Sequence, residues 1–341
     1  MKHRSHRVLA WAASLFLVTV FAHAQDYLLQ TGAPTFTTAE PVEMGFINAS
    51  NGNLHLEIPL ASPPQRGRLR YGAKLVYDSR IWEASAGTWH PDNVPNSQGG
   101  WRLVTSGSAG NYSYSVTTRR CLDPNTGQYY TIYNYTNFMW TAPEGTRHKF
   151  PVMTIRDTGG ICDLDTPTGD ALANDSSGYR IYVTGYTTAK VFAKDGTQVY
   201  NGAGSDFTVK DPNGNYFSIA ANVIDTLGRT VVTYVPNGAG CTASYCYNIL
   251  APNGSTSQVQ VTTTTVNVNT NFGQSGVTEY SGSFTAIQSI ALPNNTNYSF
   301  TYDSGTGAGN FGLMKTIKLP TGTGTQVTYS WTTFADSYVK L

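Results

Sequence analysis

Charge is scarce in this sequence, and histidine and helix-period patterning are scarcer still. Lys, Arg, Asp and Glu make up 13% of 341 residues, with 22 basic against 21 acidic side chains. So balanced a chain sets up no field for nucleic acid or an acidic membrane surface, and neither partner is expected. Beyond the first 24 residues no apolar run approaches the ~18–20 residues of a spanning helix, so no membrane span is expected there. A Gly-x-Ser-x-Gly nucleophile elbow and a Cys-x-x-Cys pair are both absent.

Candidate general bases are few. Of six His, three (His3, His6, His23) lie at the N-terminus. His55 falls on the polar side of an alternating strand, His90 in a Trp-His-Pro turn, and His148 between Arg147 and Lys149. None neighbours a nucleophile and an acid in a recognisable motif, so each reads as a surface residue. Glutamate is confined to Glu40, Glu43, Glu57, Glu83, Glu144 and Glu279, thin material for a glycosidase carboxylate pair. Residues 307–312 spell Gly-x-Gly-x-x-Gly, but the dinucleotide fingerprint needs a helix opening there, and Leu313-Met314-Lys315-Thr316-Ile317 is strand-like. The chain therefore reads as non-enzymatic, with no catalytic residue and no organic cofactor expected.

What the chain does have begins with its first 24 residues. A positive end (Lys2, Arg4, Arg7), an apolar stretch from Val8 to Phe21 and Ala22-His23-Ala24 before Gln25 make a secretory signal peptide. No Cys follows the apolar stretch, so a bacterial lipid anchor is not expected. Cleavage would leave 317 residues with 19 basic and 21 acidic side chains, a net charge of −2. The expected destination is extracellular or the bacterial cell surface, where disulfides persist. All four cysteines, Cys121, Cys162, Cys241 and Cys246, lie in that exported part. Four cysteines allow three pairings. The tightest pairs Cys241 with Cys246 across a small loop and Cys121 with Cys162, and the sequence leaves the other two open.

The 34 Gly, 22 Tyr and Thr-rich runs, punctuated by Gly, Asn, Asp and Pro, predict an all-β chain with no substantial helix after the signal peptide. An irregular lead-in is expected over 25–44, a β region over 45–189 and repeats over 190–341. After the turn Asn51-Gly52-Asn53, residues Leu54, Leu56, Ile58 and Leu60 alternate with His55, Glu57 and Pro59, the period of a half-buried strand. Pro59 cannot donate to a ladder, so the strand is an edge there or ends. Val259 and Val261 are out of phase with Val266 and Val268, which places a bulge or turn within the intervening Thr run.

The region 190–341 reuses one device. Asp211-Pro212-Asn213-Gly214-Asn215 and Asp225-Thr226-Leu227-Gly228-Arg229 each set an Asp three residues ahead of a Gly and before β-forming residues. Such an Asp bonds back to nearby N–H groups, and the Gly supplies a left-handed turn residue. Asp195-Gly196 and Tyr302-Asp303 with Gly305 repeat the theme. This pattern resembles the YD repeats of the RHS family, large secreted or surface β-proteins. Tyr302-Asp303 matches the YD itself, while Lys194, Lys210 and Ile224 stand where the Tyr would be. The opening of the chain is similar to that family too: Asn51-Gly52-Asn53-Leu54, a Pro64 to Gly67 turn, Tyr77-Asp78-Ser79 and Gly100-Trp101. It departs in having Val76 where an Arg commonly precedes the Tyr. The resemblance covers roughly 45–103 and 190–332. It implies antiparallel hairpin repeats that form a continuous twisted or spiral sheet, apparently uncapped at Leu341. The chain would then be a structural scaffold, the opening shell segment of a longer protein acting at the cell surface or in cell–cell contact. Its partner would be a C-terminal continuation of the same polypeptide or another cell-surface component.

Two features point elsewhere. Tyr129, Tyr130, Tyr133, Tyr135 and Trp140 are either cross-strand pairs or a sugar-stacking row, the latter making the chain a secreted carbohydrate-binding or adhesive β-sandwich module with a glycan partner. Asp163, Asp165 and Asp170, near Asn174 and Asp175, form an acidic loop that supplies some of the oxygens calcium needs. The rival reading is a solvated loop beside Cys162.

Overall fold

A computed structural model describes residues 31–34, 38–61, 69, 71–91, 98–202, 207–219, 222–251, 253–321 and 324–331. The expected signal peptide and the Pro64 to Gly67 turn lie outside these residues. The described chain is all-β, with no helix and every strand pair antiparallel. Hence none of it is a helix long and apolar enough to cross a membrane.

The N-terminal sheet contains β1 (Ala39–Val42), β2 (Gly45–Asn48), β3 (Asn53–Ala61) and β4 (Ala73–Asp78). A separate hairpin of β5 (Trp82–Ser85) and β6 (Thr88–Pro91) precedes β7 (Trp101–Thr105), which returns beside β4. Strand β1 lies inside the stretch expected to be irregular. A second sheet is built on β9 (Tyr129–Thr141), with β8 (Asn111–Leu122) along one edge and β10 (Arg147–Lys149) and β11 (Thr154–Asp157) along the other.

The third sheet is a 14-stranded meander in which each strand pairs with its sequence neighbours. It opens with β12 (Gly169–Leu172), β13 (Arg180–Thr184), β14 (Thr188–Phe192), β15 (Gln198–Asn201) and β16 (Phe207–Lys210). It continues through β17 (Tyr216–Ile219), β18 (Asn222–Asp225), β19 (Thr230–Pro236), β20 (Tyr245–Leu250) and β21 (Thr256–Asn269). It closes with β22 (Ser281–Ala291), β23 (Asn297–Tyr302), β24 (Met314–Lys318) and β25 (Gln326–Thr328). The meander thus begins at Gly169, some residues ahead of the expected boundary at 190.

The alternation in β3 explains how these layers meet. Leu54, Leu56, Ile58 and Leu60 are all buried, in one cluster with Tyr77 and Trp101 of the same sheet and with Val259, Ile290 and Ile317 of the meander. Each such side chain contributes roughly 1.5–3 kcal/mol on burial. A second cluster joins Phe138 and Trp140 of β9 to Ile181, Val183, Ala189 and Val191 of β13 and β14. The meander is therefore a common layer on which the two smaller sheets pack. Pro59 sits past the end of β2, beside a register shift between Pro59 and Ala61, so its missing N–H interrupts no bond to β2. In β21 the register shifts between Thr262 and Thr263, as the phase flip requires. That bulge turns Val259, Val261, Val266 and Val268 toward one core.

The turns share one geometry. In Asp211–Asn215 and Asp225–Arg229 the first residue donates its N–H to the carbonyl of the fifth, and the Gly N–H returns to the first carbonyl. Asp211 Oδ1 accepts from the N–H groups of Asn213 and Asn215 at 2.9 and 2.8 Å, and Asp225 Oδ1 does the same for Leu227 and Arg229. Gly214 and Gly228 take φ of 88° and 74°, the left-handed residue of a three-residue hairpin loop. The same backbone bonds close 142–146, 193–197, 251–255 and 292–296. At 193–197 the Asp has moved to the third place, where Asp195 accepts from the Thr197 N–H and Gly196 bonds back to Ala193. Asn253 and Asn294 serve similarly in two turns that an Asp-to-Gly rule passes over.

Candidate functional site

The most elaborate polar site lies on the N-terminal sheet, and His55 is its centre. His55 is 2% exposed, not the surface residue that strand alternation implied. The cause is local: Phe46 of β2 stacks on the imidazole at 4.7 Å, and Asp78 of β4 lies directly across the ladder. Side chains of β3, β4 and β7 form a line of alternating charge. Lys74 Nζ donates to Glu57 Oε1 at 2.5 Å, Glu57 lies 3.4 Å from His55 Nε2, His55 Nδ1 lies 2.9 Å from Asp78 Oδ1, and Arg102 Nη1 donates to Asp78 Oδ2 at 2.5 Å. Burial opposes a charge on His55, but the Asp78 and Glu57 carboxylates outweigh it and raise its pKa to about 9. Hydrogen bonding from His55 holds Glu57 down at about 2. Asp78 is also lowered, since Arg102 and His55 overcome the cost of its burial.

The Lys74, Glu57 and His55 part of this line borders a groove of about 590 Å³ with Met44, Phe46 and Pro59 on its walls. Its partners are internal. Arg102 also donates to the carbonyls of Pro143 and Glu144, Asn53 Nδ2 donates to Asp78 Oδ1, and the Ser79 hydroxyl donates to Asn53 and accepts from the Leu54 N–H. A protonated imidazole between two carboxylates is not a base, and Ser79 is turned to Asn53 rather than to the ring. The arrangement is chemically a clamp between three strands.

His148 is likewise buried, contrary to the surface expectation. Its ring stacks on Trp140 at 5.4 Å and lies 4.4 Å from Tyr179. Asp175 Oδ2 is 2.6 Å and Ser177 Oγ 3.3 Å from the same nitrogen, Nδ1. A catalytic triad needs the acid on one ring nitrogen and the nucleophile on the other, so these three residues do not make one. His90 falls in β6 and is half-buried.

The Tyr-Asp pair at 302–303 closes a loop and joins two layers. Asp303 accepts from the Phe311 and Leu313 N–H groups, and Gly312 N–H donates to its carbonyl. The Gly-x-Gly-x-x-Gly letters lie within this loop, and strand β24 follows them. Gly305 N–H donates to Asn267 O at 2.9 Å. The Tyr302 hydroxyl accepts from Trp101 Nε1 at 2.8 Å, Trp82 Nε1 donates to Phe311 O at 2.8 Å, and Met314 N–H donates to Tyr77 Oη at 2.9 Å. Tyr77 and Trp101 from the opening motifs thus bond directly to the Tyr-Asp segment and the strand after it.

The three candidate calcium ligands are placed apart. Asp163 pairs with Arg119, Asp170 with Arg180, and Asp165 accepts from the Tyr186 hydroxyl at 2.6 Å. No cluster of three or more metal-ligating side chains occurs among the described residues. The loop is organised instead by Asp157, which spacing did not single out. Its Oδ2 accepts from the N–H groups of Ile161, Cys162 and Asp163, and its Oδ1 from Gly159. These backbone donors, Gly159 and Cys162 foremost, hold its pKa far below the ordinary carboxylate range. The disulfides are Cys121–Cys162, which fixes this loop to β8, and Cys241–Cys246.

The aromatic run of β9 divides. Trp140 is in the core, its Nε1 donating to Ala109 O at 2.8 Å. Tyr129 is 59% exposed, and Tyr133 and Tyr135 are half-buried with ring centroids 6.3 Å apart. Tyr135 continues the row to Tyr114 at 5.9 Å and to Tyr186 at 6.3 Å. Arg156 lies 5.9 Å over Tyr186 and Arg120 lies 5.3 Å over Tyr129. Tyr130 bonds through its hydroxyl to Gln128 Oε1.

Fold and sites together define an all-β, disulfide-bonded chain with a clamped polar cluster and a partly exposed tyrosine row. Comparison with family models, curated proteins and solved structures finds no match.

Proposed function

We propose that this chain is a non-catalytic, exported β-scaffold, the opening wall segment of an RHS/YD-repeat polypeptide at the cell surface. The observation that supports this reading is the meander: fourteen strands, each hydrogen-bonded to its sequence neighbours and many joined by one recurring turn. Such an array grows by adding hairpins, each stabilised by those beside it. The two disulfides fit an oxidising, extracellular compartment. The partner is then a continuation of the same polypeptide, adding strands beyond β25, or another surface component. An antibody raised against residues 25–341 tests it on secreted and surface fractions. A band much larger than 36.9 kDa is the expected result, and a band slightly below that mass would overturn the shell reading.

The exposed rings of Tyr114 and Tyr129, at the ends of the tyrosine row, favour a second reading, a carbohydrate-binding or adhesive module. Sugar rings stack on exposed aromatic faces, and Arg120 and Arg156 could donate to hydroxyls or carboxylates beside them. Glycan-array binding that disappears in a Tyr129→Ala/Tyr133→Ala chain, with its melting temperature retained, would establish this reading. Absence of binding by the native chain would remove it.

A further inference from the structure

Strands β13 and β14 bury one face and present the other to solvent, as a period of two requires. Ile181, Val183, Ala189 and Val191 pack against Phe138 and Trp140, and Arg180, Tyr182, Lys190 and Phe192 alternate with them on the face turned away from β9. Tyr182 lies opposite Lys190 in the ladder, and Arg180 opposite Phe192. With Leu172 and Lys194, these side chains border a groove of about 790 Å³.

Three features set this groove apart from an ordinary solvated face. Its charge has one sign: three cations and no carboxylate line it, in a chain of 22 basic and 21 acidic side chains. Arg180 is paired with Asp170 of β12, whereas Lys190 and Lys194 have no ion-pair partner among the described residues. Lys194 is also held in place. Its stem lies along Gly178, where an added Cβ would meet the Lys194 Cβ, Cγ and Cδ at 3.1–3.2 Å. Finally, the aromatic surface is open. Tyr182 is 45% and Leu172 61% exposed, and among the described residues neither Tyr182 nor Phe192 stacks on another ring or belongs to a core cluster.

We propose that this groove binds an acidic polysaccharide whose sugar rings carry carboxylates. The unpaired lysines select an anion by charge complementarity, and the open rings beside them select one carried on an apolar-faced ring. A pyranose uronate has both, a C–H face to lie on Tyr182 or Phe192 and a carboxylate to meet Lys190 or Lys194. A free phosphate has no face to stack, and a lipid surface does not enter a recess. Nucleic acid stacks and carries charge, but tracking its backbone takes a longer basic stripe than two lysines. The groove and the tyrosine row of β9 are separate sites, since the core of β13 and β14 lies between this face and β9.

Calorimetric titration of the disulfide-intact chain with oligomers of galacturonate, guluronate and glucuronate tests this. At least one should bind, and its methyl ester should not. Lys190→Gln/Lys194→Gln should weaken binding about tenfold and flatten its dependence on salt, because two exposed charge pairs are lost. Tyr182→Ala should weaken it about tenfold with the salt dependence kept. All three side chains are exposed, so melting temperatures should hold. Tyr129→Ala/Tyr133→Ala should leave this binding unchanged, whatever it does to a neutral glycan. Failure of all three oligomers to bind overturns the proposal, as does equal binding of the ester or binding that survives the double lysine change. A single-stranded oligonucleotide that binds more tightly than every uronate, and is lost in the same lysine variant, overturns the assignment to a sugar.

Discussion

The indole N–H of Trp101 donates to the hydroxyl of Tyr302 at 2.8 Å, and that hydroxyl donates onward to the Ile287 carbonyl. Both rings are buried, and 201 residues of sequence separate them. The bond joins β7 to β22 and β23, so the N-terminal sheet and the meander share a polar anchor inside an apolar interface.

Tyr302→Phe removes one oxygen and leaves a buried N–H and a buried carbonyl without this partner. A loss of about 2–6 kcal/mol in urea unfolding is expected, from roughly 1–3 kcal/mol for each of the two orphaned groups. Tyr129→Phe, at an exposed ring, should be neutral. Equal effects of the two changes would contradict the anchor.

Glycine positions should separate by what surrounds them. At Gly228, φ is 74° and no atom lies within 4 Å of an added Cβ, so Gly228→Ala should cost only the left-handed backbone penalty of about 1–2 kcal/mol. At Gly312, φ is 73° and the Cβ would meet Phe284 Cζ at 2.4 Å and Val268 Cγ1 at 2.8 Å, so Gly312→Ala should cost at least about 3 kcal/mol. Thermal melts of both variants decide it.

The charged line around His55 predicts a stability optimum in pH. His55 rises from 6.5 to about 9 on folding, so its contribution is full below pH 6.5 and is lost as pH climbs toward 9. Glu57 falls from 4.5 to about 2, so its contribution is full above pH 4.5 and is lost as pH drops toward 2. From these two groups, stability should be greatest between pH 4.5 and 6.5. His55→Gln should flatten the alkaline decline; an identical alkaline slope in that variant would remove His55 as its source.

The disulfides differ in the loop they close. Cys121–Cys162 spans 41 residues and Cys241–Cys246 spans 5. Loop-closure entropy alone makes the first worth about 4 kcal/mol and the second about 2. Serine replacement of each pair, followed by urea unfolding, should reproduce that order, and peptide mapping without reductant should recover both pairings.

Strand alternation made β3 legible, and the phase flip in the Thr run located the β21 bulge, because a period of two leaves its mark whenever one face is buried. The Asp-to-Gly turns were legible for the same local reason. His55 was not. Its strand face is covered by Phe46 and Asp78, and which residue lies opposite is a matter of register between β2, β3 and β4 that no single segment encodes. The acidic loop misled in a related way: counting carboxylates favoured Asp163, Asp165 and Asp170, whereas the organising residue is Asp157, defined by backbone N–H groups that curl around it.

The meander also sets an order of events in folding. Each of its strands finds its partners next door in sequence, so hairpins can form one after another with little loop entropy to overcome. The leucine face of β3 is different, because the residues that cover it begin near Phe217 and end near Leu319. The first sheet to be synthesised should therefore be the last to be sealed, its greasy side waiting for strands that arrive only with Phe217 through Leu319.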